Sequence, residues 1–343
     1  MKPRYAKKSS FRSRTFKRKR VPGRGAAGSV LILTLWVLLI LSLFAVALAQ
    51  GIQQKTLIAQ KMQQREQLRL AAEGGLKQAL ARLKFRNPQT YAPKDSLAAD
   101  FLMNFSGKVG AADFSIITFH DMNSRINVNY VKPEVMTRLL QAVSRLNDDE
   151  AEKLAYALKD YIDEDDHISK YFDKGSERFS YQLGGLKRMP KNAPLEFLSE
   201  LRYVKGMTAD VFDALQPYVT VYGGGPVNLN SASAEVLAAL GLDPQTVAQI
   251  ITMRRGADGV DGTHDDHAFK DASQAVEEIR RYYERKSPPV DLAVFERLVR
   301  EGHLGVKSDT FEFESQAILP QGTRMNISCI YGLSEGLKVW VER

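Results

Sequence analysis

Two stretches of this 343-residue chain gather carboxylates more densely than a solvated helix end requires. Asp160, Asp163, Asp165, Asp166 and Glu177 form the first. In the second, Asp258, Asp261, Asp265 and Asp266 are spaced by Gly259 and Gly262, which let the backbone fold side-chain oxygens around one point. Hard oxygen donors in a flexible loop suit Ca²⁺, so a structural calcium ion is the cofactor expected, with these residues as its ligands. The spacing is not the regular Asp-x-Asp-x-Asp-Gly of an EF-hand, and a solvated acidic loop is the alternative for either stretch. His264 and His267 admit a transition metal, a reading weakened by the surrounding carboxylates and the lack of a nearby Cys. Paired carboxylates could also serve a glycosidase as acid and base. The chain has no nucleophile elbow, Gly-Lys phosphate loop or His-Glu zinc motif, so no catalytic residue is assigned and a non-enzymatic protein is expected.

The element that positions everything else is apolar. After Gly28-Ser29, the residues from Val30 to Ala49 carry no charge, and only Thr34 and Ser42 are clearly polar. At about 1.5 Å per helical residue, such a stretch covers a hydrocarbon core of roughly 30 Å. Residues 1–28 hold eleven Lys or Arg and no acid, a bias that keeps the N-terminus cytoplasmic and sends the remaining chain across the membrane. A cleaved secretory signal ending at Ala47-Leu48-Ala49 is one rival, but the apolar run exceeds the usual ~7–15 residues. A plain uncleaved anchor is the other. The leader contributes +11 against a total of +8, so the remaining chain carries −3, which argues against a nucleic-acid binder. The single Cys329 allows no intrachain disulfide and is expected to be a buried structural thiol.

Beyond the apolar run, Pro88 is the first strong helix breaker, so the helix is expected to continue to about Arg86. Leu68, Ala72, Gly75 or Leu76, Ala79 and Leu83 share one of its faces, a stripe that should lie on a sheet. The strands come in pieces far apart in sequence. Ala112, Phe114, Ile116 and Thr118 alternate in an early one; Phe311, Phe313, Ser315 and Ala317, then Met325, Ile327, Cys329 and Tyr331, then Leu337, Val339 and Val341 alternate in three late ones. The interval is helical and carries an internal echo: Ile126-Asn127-Val128-Asn129 and Val227-Asn228-Leu229-Asn230 each precede a pair of apolar helices. This layout is helix-hairpin-helix-like and opens a rival function, a membrane-anchored DNA receptor of the competence type. Such hairpins hold phosphate on a Gly-hydrophobic-Gly turn. Here the turns read Arg145-Leu146-Asn147 and Gly241-Leu242-Asp243, without the second Gly and with a carboxylate where phosphate would sit.

A basic leader, a Gly, a small residue and a long apolar helix running into a charged one resembles type IV pilins and type II secretion pseudopilins. The resemblance implies cleavage by prepilin peptidase between Gly28 and Ser29, with Ser29 becoming the N-methylated first residue. The fifth mature residue, Glu in most of that family, is Leu33. Its absence, together with Leu158-Lys159-Asp160-Tyr161-Ile162-Asp163-Glu164-Asp165-Asp166, Gly175-Ser176-Glu177, Pro190-Lys191-Asn192-Ala193-Pro194-Leu195 and Val227-Asn228-Leu229-Asn230, resembles the minor pseudopilin protein K family. Lys191 and Ala193 depart from the family's loop pattern.

The resemblance implies an α+β fold, a pilin-like long N-terminal helix packed on an antiparallel sheet, with a large all-α domain inserted between strands. The expected divisions are a leader over 1–28, a transmembrane helix over 29–50, helix and first strands over 51–124, the insertion over 125–305 and the last strands over 306–343. It further implies a single-pass protein of the bacterial inner membrane with its bulk in the periplasm. Its expected partners are two other minor pseudopilins, of the I and J types, in a tip complex; its role is to start or cap a pseudopilus, with Leu33 marking its place and no nucleic acid bound.

Overall fold

A computed structural model describes residues 26–86, 105–170, 176–183, 189–260, 263, 265–286 and 292–343. The leader up to residue 25, the Asn87-Pro88 stop, Gly175, Asp261, Gly262 and His264 lie outside the described residues. The chain divides between Gln63 and Gln64 into two compact units.

The first unit contains the start of helix α1 (Ala26–Arg86). Its apolar run has a mean hydropathy of 2.9 over the best window and is long and apolar enough to cross a membrane. The two polar side chains of the run are satisfied within the helix, Thr34 Oγ1 donating to Leu31 O at 2.9 Å and Ser42 Oγ to Leu38 O at 2.7 Å. Neither therefore offers an unpaired group to lipid. The helix starts ahead of Gly28, so the Gly28-Ser29 bond lies within it.

In the second unit the rest of α1 lies on a five-stranded antiparallel sheet: β1 (Ser106–Val109), β2 (Ala112–Asp121), β7 (Thr310–Ile318), β8 (Arg324–Gly332) and β9 (Gly336–Glu342), in that order. The expected stripe is the buried one. Leu68, Ala72, Leu76, Ala79 and Leu83, joined by Ala71, pack on Phe114, Ile116, Phe311, Phe313, Ala317, Ile327 and Cys329. Burial pushes the Cys329 thiol up to about 12, as suits a side chain used as a small apolar group.

Two expected strand faces are corrected. A bulge between Ile116 and Thr118 shifts the register of β2, so Phe119 rather than Thr118 turns inward. The Phe119 ring stacks on Phe311 at 5.5 Å and meets Phe313 edge-on at 4.9 Å. On β9, Trp340 faces the core because it pairs with inward-facing Cys329; Val339 and Val341, expected on the inner face, pair with Ile330 and Ser328 on the other side, and Leu337, also expected inside, is exposed. Opposed residues of an antiparallel pair point to the same side of the sheet.

Between β2 and β7 the chain leaves the sheet and builds a second core. This insertion holds β3 (Ile126–Asn127), α2 (Pro133–Val143), α3 (Asp148–Ile162), α4 (Glu177–Leu183), α5 (Ala209–Leu215), β4 (Val219–Thr220), β5 (Val227–Asn228), α6 (Ala234–Ala239), α7 (Pro244–Arg254), α8 (Ala272–Lys286), α9 (Ala293–Arg300) and β6 (Leu304–Gly305). The excursion runs from Met122 to Asp309, slightly wider than the expected 125–305.

The internal echo is structural. Ile126-Asn127 pairs in parallel with Val219-Thr220, and Val227-Asn228 in the same way with Leu304-Gly305. In each half the first Asn side chain accepts from the backbone of the second, Asn129 N to Asn127 Oδ1 at 3.0 Å and Asn230 N to Asn228 Oδ1 at 2.9 Å. The second Asn then clamps a distant backbone from both sides. Asn129 does so at Leu195 (2.7 and 3.0 Å) and Asn230 at Phe269 (2.8 and 2.9 Å). An amide that donates and accepts at one residue is worth its burial because no polar group is left over.

The close approach of α1 to the sheet rests on Gly75, where a Cβ would stand 2.7 Å from Phe114 Cδ2 and 2.8 Å from Ser315 Oγ. At Gly74 the nearest such atom is 3.9 Å away. Gly75→Ala should therefore destabilise by about 1–3 kcal/mol through overpacking. Gly74→Ala should be neutral or stabilise by up to about 1 kcal/mol through helix propensity. Thermal melts of the two variants in the full chain separate them; equal melting temperatures would refute the packing account.

Candidate metal centres

The first acidic group forms where α3 ends. Asp160 lies in its last turn, Asp163 follows as its C-terminal cap, and Glu177 opens α4. One carboxylate oxygen of each lies within 4.8 Å of the others. Glu177 is only 1% exposed, and neither of its oxygens, nor Asp163 Oδ1, has a hydrogen-bond partner among the described residues. Asp160 accepts from Ser169 N at 3.1 and 3.3 Å. Burial, reinforced by Asp163 and Asp160 and then by Asp166 and Asp165, pushes the Glu177 carboxyl up to about 8. Burial also raises Asp160 and Asp163, with Lys159 offsetting part of each shift. Orphaned buried carboxylate oxygens are costly unless a proton or a cation meets them. A hard divalent cation fits this donor set.

Asp165 and Asp166 do not join the group. Asp165 Oδ1 accepts from His167 N at 2.7 Å and lies 3.2 Å from His167 Nδ1; Asp166 Oδ1 accepts from Arg178 N at 3.2 Å. They shape the loop and add negative charge at longer range. Asn192, held at φ 49°, supports the same loop by donating from Nδ2 to Asp165 O.

The second group joins Asp258, Asp265 and Asp266, again within 4.8 Å. It is more exposed and organised by its own hydrogen bonds. Asp265 Oδ2 accepts from Ala257 N at 2.7 Å and Asp258 N at 3.1 Å, and Thr263 Oγ1 donates to Asp265 Oδ1 at 2.7 Å. The Thr263 hydroxyl and then the Asp258 N–H hold the Asp265 carboxyl well below the usual range. Gly256, at φ 62°, closes the loop: a Cβ there would fall 2.4 Å from Asp265 O. Sequence reasoning missed Thr263 and Gly256, because neither is a metal ligand by type. His267 is not part of the group, its Nε2 lying 2.7 Å from Glu278 Oε2. Asp261 and His264 lie outside the described residues. The two groups occupy equivalent places, each between the second helix of its half (α3 or α7) and the backbone clamped by Asn129 or Asn230.

The turns considered for phosphate are closed by protein groups. Asn147 Oδ1 accepts from Glu150 N at 2.9 Å in a capping box, and Asp243 Oδ1 accepts from Gln245 N and Thr246 N, both at 3.0 Å. The backbone donors that would cradle an anion are thus engaged.

A family model for the type II secretion system (T2SS), protein K, matches residues 113–224. Over these residues the chain is similar to that family. That match covers β2 from Asp113, the first half of the insertion and the first acidic group. One solved structure, the crystal structure of the GspK-GspI-GspJ complex from the enterotoxigenic Escherichia coli type 2 secretion system, contains a chain with the same fold. The TM-score is 0.58 at 19% identity, over 83% of this chain and 96% of that one. No curated protein sequence matches significantly.

A carboxyl whose value is raised on folding contributes stability below its ordinary value near 4.5, and loses it as pH climbs through about 8. In chelator, the wild-type melting temperature should therefore fall across that window. Glu177→Gln should flatten the fall and melt higher than wild type at the alkaline end. A chelated wild type whose melting temperature is flat across the window would contradict the assignment.

Proposed function

We propose that the chain is a non-enzymatic minor pseudopilin of the K type, placed at the tip of a type II secretion pseudopilus, where it starts or caps assembly for protein export. The observation that carries this reading is the architecture: an apolar helix long enough to span a membrane continues as the spine of a pilin-like sheet, and the sheet bears a protein K insertion. The related complex joins GspK with GspI and GspJ, which supports two other minor pseudopilins as the partners here.

Leu33 supports the distal position. A carboxylate in the span costs on the order of a few kcal/mol. In related pilins the fifth-residue Glu offsets that cost by meeting a neighbour's free N-terminal amine. Leu33 removes both the cost and the pairing, so the subunit needs no neighbour beyond it. The insertion also adds bulk beside a slim sheet, which obstructs stacking on every side.

Processing by prepilin peptidase would free Ser29, then subject to N-methylation, and leave the bulk of the chain periplasmic. N-terminal sequencing of membrane-extracted protein tests this. Ser29 as first residue is expected; Gln50 would indicate a secretory signal and Met1 an unprocessed anchor, and either overturns the pseudopilin reading. Leu33→Glu should leave secretion unimproved, whereas a gain in secretion would contradict the distal position.

The acidic groups are read as structural Ca²⁺ sites, held by Asp160, Asp163 and Glu177 and by Asp258, Asp265 and Asp266. A cation that binds only the folded state stabilises it by mass action, by about 2.7 kcal/mol at a hundred times its Kd. Added Ca²⁺ should raise the melting temperature of the wild type, most at the alkaline end where protons no longer compete. Glu177→Gln should lose most of that rise. A melting temperature indifferent to both Ca²⁺ and chelator would remove the metal from the account.

A further inference from the structure

Apart from both acidic groups, the two halves of the insertion meet in an open cleft of about 470 Å³. That size lies within the ~300–1,000 Å³ of sites that take small ligands. Arg138, from α2 in the first half, and Arg297, from α9 in the second, line it together with Lys132, Glu134, Glu301 and His303. Three Lys or Arg side chains face two carboxylates.

Each carboxylate has a protein group beside it. Glu134 Oε1 accepts from Tyr156 OH at 3.4 Å, and Glu301 Oε2 lies 3.6 Å from His303 Nε2. The cations differ. Arg138 is held in place by one bond, Nε donating to Ala239 O at 2.7 Å, which leaves the rest of its guanidinium fork for a ligand. The carbonyls of Arg297 and Lys132 are used by their own helix, and among the described residues their side chains make no hydrogen bond or ion pair. Burial lowers the proton affinity of Arg138; Glu134 opposes this and the like charge of Arg297 adds to it, as two cations facing one space require.

Apolar groups stand beside these charges. Val135 is one turn from Arg138 on α2, and Leu298 adjoins Arg297; both line the cleft. A ligand that fits must carry one negative charge within a carbon or two of an apolar group. The carboxylate at the end of a peptide has that form, since it shares its Cα with the last side chain. A multiply charged phosphate would exceed the single net positive charge and leave the apolar walls uncovered.

We infer that the cleft between the halves of the insertion binds the C-terminal carboxylate of a partner peptide ending in an apolar residue, seated between Arg138 and Arg297 with its side chain on Val135 and Leu298. The guanidinium forks supply charge-assisted hydrogen bonds to the carboxylate.

The test is saturation-transfer NMR on the full chain in detergent, with N-acetyl-leucine as probe. N-acetyl-leucinamide serves as the uncharged control, N-acetyl-isoglutamine (the α-amide of N-acetyl-glutamic acid), whose one carboxylate is on the side chain, as the internal-acid control, and inorganic phosphate as competitor. Saturable binding of N-acetyl-leucine is expected, weakened at least about tenfold by Arg297→Gln, on an exposed helix end where the change leaves the fold intact. Arg138→Gln should act in the same direction, and a matching melting temperature shows that this variant folds. Equal binding of the leucinamide, equal binding of the side-chain carboxylate, full displacement by equimolar phosphate, or unchanged binding by Arg297→Gln would each overturn the inference.

Discussion

A single buried carboxylate ties the inserted domain to the sheet. Asp121, the last residue of β2, accepts from Ser308 Oγ at 2.6 Å, Asn228 Nδ2 at 3.1 Å, Ser231 Oγ, and Asn123 N at 2.8 Å. These donors come from where the insertion leaves the sheet, from the start of its second half and from where it returns. Burial raises the Asp121 carboxyl, and the bonds from Ser231, Ser308, Asn123 and Asn228 pull it back. Hydrogen bonds to a charged group contribute roughly 1.5–3 kcal/mol each, enough together to offset a desolvation penalty of several kcal/mol. Because β2 and β7 are neighbours, the excursion has to begin and end one strand spacing apart, and this junction closes it.

From that junction each half of the insertion is built by the same device. A short parallel pairing brings the ends of the half together, and an Asn amide fixes the backbone that follows its acidic loop. The acidic loops are therefore held at both ends, by a helix before and an amide clamp after. Repulsion among Asp160, Asp163 and Glu177 can then persist in the folded state without prising the loop open. The contrast between the groups follows from what each loop supplies. Thr263 and two backbone N–H groups serve Asp265, whereas no hydrogen-bond donor among the described residues meets the Glu177 carboxylate.

Where periodicity acts over several turns, the sequence was readable. The stripe from Leu68 to Leu83 and the alternating faces of β7 and β8 are those observed, because each rests on many side chains facing one core. Where one residue resets the register, it was not. The bulge after Ile116 moves Phe119 inward and Thr118 outward, and pairing with Cys329 turns Trp340 rather than Val339 and Val341 to the core. Of the candidate ligands, Asp160, Asp163, Glu177, Asp258, Asp265 and Asp266 converge. Asp165 and Asp166 cap backbone N–H groups instead, a choice set by local loop geometry that composition does not carry.

On the proposed reading, the long apolar helix is the spine that joins a filament and the inserted domain limits the room for a further copy. The most direct measurement is co-expression of the full chain with the I- and J-type minor pseudopilins of its own system, followed by native mass spectrometry of the membrane-extracted assembly. The account predicts a complex holding one copy of this chain with both partners, and no filament of this chain alone by electron microscopy at high expression. Homopolymeric filaments, or a chain that extracts free of both partners, would contradict it.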